Sequence, residues 1–75
     1  MERKEFEEKW DELVKEVWYS PDVIVYIGNN GNIIYANEYE IVQESVMFFK
    51  NDEYKYDIGE FRLKDVKKIK LGYGD

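Results

Sequence analysis

The sequence predicts an α+β domain: an N-terminal amphipathic helix packed on a four- to five-stranded antiparallel sheet. Three observations lead to it. Apolar residues recur at helical spacing through the first nineteen positions. Beyond Pro21 the period becomes that of extended strands rich in Val, Ile, Tyr and Phe. Short clusters of Gly, Asn and Asp divide those strands. With 75 residues the chain makes a single domain, 1–75.

Residues 2–19 read as the helix. Phe6, Trp10, Leu13, Val14, Val17 and Trp18 fall on one face. Glu2 and Glu5 occupy the first turn, where the helix dipole favours negative charge. Glu5–Lys9 and Asp11–Lys15 have the acid-before-base spacing that supports a helix surface. Pro21 ends the run and pushes Ser20 toward extended backbone.

The β-rich region spans 22–71. Asp22–Ile27 is the first strand, and Asn30-Gly31 is read as a two-residue hairpin turn. Ile33–Tyr35 returns, Ala36-Asn37-Glu38 forms a bend or bulge, and Tyr39–Val42 continues the strand. Ser45–Lys50 is followed by a turn at Asn51-Asp52-Glu53 and by alternating residues from Tyr54 to Ile58. Gly59 marks a kink or bulge. Phe61 and Leu63 keep the alternation, Asp65–Lys68 turns, and Ile69–Leu71 is a last short strand. Residues 72–75 read as a loose tail. The helix is the only cover for the apolar face of the sheet, lying across a curled meander or capping a small barrel.

The run from Glu53 to Ile69, with Tyr54, Tyr56, Ile58, Phe61, Leu63, Val66 and Ile69 as its apolar positions, resembles the end of small SH3-like and Sm-like barrels. Those barrels close with a strand, one short turn and a final short strand, and the Sm-like ones carry an N-terminal helix. The resemblance implies a small SH3-like barrel as the architecture. It does not extend to RNA binding: Lys64-Asp65-Val66-Lys67-Lys68 stands where a basic, glycine-containing motif is expected.

Composition narrows the chemistry. The chain has no His and no Cys, so disulfides, thiolate metal sites and the usual bases for a Ser nucleophile are missing. Ser20 and Ser45 are read as structural. Gly28-Asn29-Asn30-Gly31 is a hairpin loop and no phosphate cradle, because no helix follows it. No enzyme activity, cofactor or metal is expected. No apolar run reaches the roughly 18–20 residues of a membrane span, and the acidic start is unlike a signal peptide. A cytoplasmic protein is expected, in the host cytoplasm if the chain is viral. Abundant Lys and Glu with few Gln, Met and Cys fit a thermophilic microbe or one of its viruses.

Net charge is −6, which makes nucleic acid an unlikely partner. The charge is uneven: residues 20–60 carry a net −6 and residues 61–75 a net +3. Glu38, Glu40 and Glu44 share parity on an extended segment, with Tyr35 and Tyr39 beside them. An acidic, Tyr-bearing face suits a protein with a basic surface, so the expected function is non-catalytic protein–protein interaction. Homo-oligomerisation is a further partner expectation. Two alternatives remain. One is a viral inhibitor that mimics the charge of nucleic acid. The other is a nucleic-acid binder of SH3-like or Sm-like type, using Arg62, Lys64, Lys67, Lys68 and Lys70 with Tyr54, Tyr56 and Phe61 as stacking surfaces.

Overall fold

The computed structural model describes residues 1–17, 21–28 and 31–72. The fold is α+β. One helix, α1 (Arg3–Val14), precedes six strands: β1 (Val23–Ile27), β2 (Asn32–Ala36), β3 (Glu38–Val42), β4 (Ser45–Asn51), β5 (Lys55–Arg62) and β6 (Val66–Leu71). A 3-10 turn, Leu63–Asp65, joins β5 to β6. The strands form two three-stranded antiparallel sheets, β2-β1-β6 and β3-β4-β5, here named the first and second sheets. Neither closes into a barrel, and the single four- to five-stranded sheet is replaced by this pair.

Helix α1 is shorter than the apolar pattern implies, ending at Val14 instead of residue 19. Val17, Trp18 and Tyr19 are β-branched or aromatic and lower the helical preference beyond that point. Trp18 and Tyr19 lie outside the described residues, as do Ser20, Asn29, Asn30 and the tail from Tyr73. The helix surface carries the ion pairs Arg3–Glu7 (3.5 Å) and Glu12–Lys15 (3.8 Å), in place of Glu5–Lys9 and Asp11–Lys15.

Between β1 and β2 the register pairs Ile27 with Asn32. The loop therefore holds four residues, 28–31, and not the two of an Asn-Gly turn. Gly28 and Gly31 both take positive φ (68° and 78°), which glycine adopts without a Cβ clash. The β3–β4 connection is a two-residue turn in which Gln43 takes φ 56°. Leu63 leaves the strand pattern to anchor the 3-10 turn, where it is buried. The bulge expected at Gly59 falls beside it: Phe48 faces Gly59 and Phe49 faces Asp57, so Ile58 is the extra residue.

The core lies between the sheets and under the helix. Val23, Val25, Ile27, Ala36, Val66 and Ile69 come from the first sheet, Val46 and Phe48 from the second, and Phe6 and Trp10 from α1. Phe6 is fully buried. Its burial contributes about 1.5–3 kcal/mol. Its ring meets Tyr39 edge-on at 4.9 Å, and Trp10 meets Tyr39 at 4.8 Å. This aromatic cluster docks the helix on β3 and β4.

Candidate functional site

Cross-strand partners share a face, so the registers show which side chains stand together. On the outer face of the second sheet, Glu38 opposes Phe49, which opposes Asp57. Glu40 opposes Met47, which opposes Glu60; Val42 opposes Ser45, which opposes Arg62. Four carboxylates thus flank an apolar centre of Met47 and Phe49. Phe49 is buried yet stands apart from the core cluster. The ammonium of Lys55 lies over its ring, 4.5 Å from the centroid, and pairs with Glu38 at 3.2 Å. Glu38 also accepts from Asn51 Nδ2 at 3.1 Å. Hydrogen bonds from Asn51 and Lys55 hold the Glu38 carboxyl below its usual range. Glu40, Asp57 and Glu60 are exposed and form no ion pair among the described residues.

The other expected site residues are distributed differently. Glu44 sits in the β3–β4 turn, off the strand, and lines a cleft of about 460 Å³ with Met1, Glu2, Arg3, Arg62 and Lys64. The two-residue turn breaks the parity that would have aligned it with Glu38 and Glu40. Tyr39 points inward against Phe6 and Trp10. Burial raises its phenol pKa, and the nearby carboxylates of Asp11 and Glu7 raise it further. Tyr35 stands on the first sheet, away from the acids.

That first sheet has an outer face of different character. Tyr35 opposes Ile24, which opposes Lys70; Ile33 opposes Tyr26, which opposes Lys68. Lys68 and Lys70 place their ammonium groups 5.1 and 5.9 Å from the centre of the Tyr26 ring. Tyr35 and Ile33 are 47% and 44% exposed, whereas Ile24 between them and Lys70 is only 8% exposed. The result is an apolar, aromatic face bordered by two lysines.

The five basic residues of the C-terminal segment do not converge. Lys68 and Lys70 belong to this face, Lys67 is the extra residue at the β6 bulge, and Arg62 on the second sheet and Lys64 on the 3-10 turn share the cleft beside Glu44. Phe61 turns toward Phe48, 6.1 Å away between centroids, and leaves Tyr54 and Tyr56 exposed as a pair at 6.0 Å.

Sequence reasoning missed Asp57, Glu60, Met47 and Phe49 on one face and Ile24 and Ile33 on the other. A signal for the second was available. Val-Ile-Val-Tyr-Ile at 23–27 has no polar alternation, and a strand apolar on both sides needs cover on both. Among the described residues no group of three or more acidic side chains is placed to hold a metal ion, and no helix is long and apolar enough to cross a membrane. No family model, curated protein or solved structure matches the chain.

Proposed function

We propose that this chain is a non-catalytic protein–protein interaction domain that docks a basic protein surface on the outer face of its second sheet. One observation carries the reading: Glu38, Glu40, Asp57 and Glu60 flank half-buried Met47 and buried Phe49 on the outer face of the three-stranded second sheet. An apolar centre with a charged rim is the usual anatomy of a docking surface. The carboxylates set approach and partner choice, and Met47 supplies an adaptable apolar contact. The anchoring role given to Tyr35 and Tyr39 in the sequence reading passes to Met47, with Phe49 beneath Lys55 as its support.

The architecture is read as an open relative of the small SH3-like barrels. Two features support this: Asn37 alone separates β2 from β3, which belong to different sheets, and a 3-10 turn links the last two strands. The nucleic-acid alternative is weakened because the five basic residues do not gather on one surface.

The test is affinity capture from the native host with the wild type and a Glu40→Gln/Glu60→Gln variant. A specific basic protein retained by the wild type and lost by the variant supports the reading. Equal capture by both places the interface elsewhere.

A further inference from the structure

The outer face of the first sheet has no role in the interaction just described, yet it has the composition of a contact surface. Its six positions are two Tyr, two Ile and two Lys, in two cross-strand rows. Ile33 and Tyr35 are exposed and Tyr26 is partly exposed, while Ile24 beneath them is buried; two exposed large apolar or aromatic side chains beside a third are a contact-like composition. The lysines give it positive character in a chain whose net charge is −6. A surface of opposite sign, also on a three-stranded sheet, exists on the same molecule. It is the second sheet's outer face, three strands wide, with Met47 and Phe49 at its centre and Glu40 and Glu60 free of ion pairs among the described residues.

We propose that the occupant of the first sheet's outer face is a second copy of this chain, presented through its acidic second-sheet face. The inference rests on reading that acidic face as a docking surface. Tyr35 and Ile33 of one copy meet Met47 and Val42 of the next, while Lys68 and Lys70 meet Glu40 and Glu60. The two faces are different patches, so the contact is heterologous. Each added copy leaves one face of each kind open, and the product is a ring or an open chain of copies, not a two-fold dimer. Each face is small, so the contact belongs to the weak class that buries less than about 1,200 Å² in total. Net charge makes two copies repel at long range, and the association depends on the local match of the two faces.

Sedimentation of the purified full chain tests this, at concentrations up to about 0.5 mM in about 0.1 M salt, where screening limits long-range repulsion. The wild type is expected to show an average mass that rises with concentration. Lys68→Glu/Lys70→Glu makes both faces acidic, and Glu40→Lys/Glu60→Lys makes both basic. Each variant alone is expected to remain monomeric, and a one-to-one mixture is expected to regain association. If a charge-reversed variant fails to fold, Lys68→Gln/Lys70→Gln and the exposed-residue change Tyr35→Ser serve in its place, each weakening association by at least about tenfold.

A wild type that stays monomeric throughout, association that survives both charge reversals, or a mixture that fails to associate would each overturn the proposal. A monomeric wild type whose capture of a basic host protein still needs Glu40 and Glu60 would overturn self-association alone. Loss of that dependence as well would remove the docking role of the acidic face.

Discussion

Asn51 donates its backbone N–H to the side-chain Oδ1 of Asn37 at 2.8 Å, so a side-chain amide continues a strand ladder where the chain passes from one sheet to the other. Asn37 stands between β2 and β3, is only 8% exposed, and donates its own backbone N–H to Phe49 O at 3.0 Å. Its Nδ2 reaches Asn51 O and Asp52 Oδ1, both at 3.4 Å. Among the described residues no buried side-chain polar atom lacks a partner.

Asn37→Ala is therefore expected to cost about 1–3 kcal/mol, because it leaves the Asn51 N–H unpaired in a partly buried corner. Asn51→Ala keeps that backbone donor and loses only the bond to Glu38, so it is expected to cost no more than about 1 kcal/mol. Urea unfolding of both variants checks the order. Equal losses would show that the Asn37 amide is not the element holding the corner.

Truncating the helix anchor is expected to have a larger effect. Trp10 is buried against Phe6, Tyr39 and Phe48. Trp10→Ala should cost about 3–5 kcal/mol, a large share of the stability of a small domain. Denaturant titration measures it, and a variant as stable as the wild type would mean that α1 is not docked.

Among the described residues, Glu38 and Tyr39 tie the stability to pH at the extremes. The Glu38 pKa is depressed in the folded state, so its contribution is present above the ordinary value of 4.5 and is lost as pH falls through the folded value. The Tyr39 pKa is raised, so the unfolded chain releases that proton first, and stability declines as pH rises above the ordinary 10.0. Melting curves across pH are expected to show the acid limb shallower in Glu38→Gln and the alkaline limb shallower in Tyr39→Phe.

The β3–β4 turn offers a stabilising change. Gln43 sits at φ 56°, a left-handed conformation that penalises a side chain by about 1–2 kcal/mol. Gln43→Gly removes that penalty and adds some unfolded-state entropy, for an expected net gain of up to about 1 kcal/mol. A lower melting temperature for this variant would show that the Gln43 side chain makes a contact worth more than its strain.

The fold class was legible because period and turn chemistry are local properties. Helical spacing of Phe6 and Trp10 and alternation through Tyr54–Ile58 depend only on near neighbours. The division into two sheets was not legible, because it depends on Asn37 finding Asn51 fourteen residues away. Strand parity correctly grouped Glu38 with Glu40 but failed at Glu44, where a two-residue turn resets the direction of the side chains. Asp57 and Glu60 joined the acidic face through the pairing of β4 with β5, and a one-residue bulge at Ile58 decides which residues of β5 face that way. Tyr39 looked like an anchor for a partner because its position under the helix is a tertiary fact.

The docking of α1 also bears on the order in which the molecule assembles. At twelve residues the helix is marginal on its own, and the residues that hold it, Tyr39, Phe48 and Ile69, lie far along the chain. During synthesis the helix emerges ahead of the strands and has nothing to rest on until β3, β4 and β6 have followed. Phe6 and Trp10 remain open to water for most of that time. Contacts this distant in sequence are slow to form, so the helix, made before the strands, is secured after them.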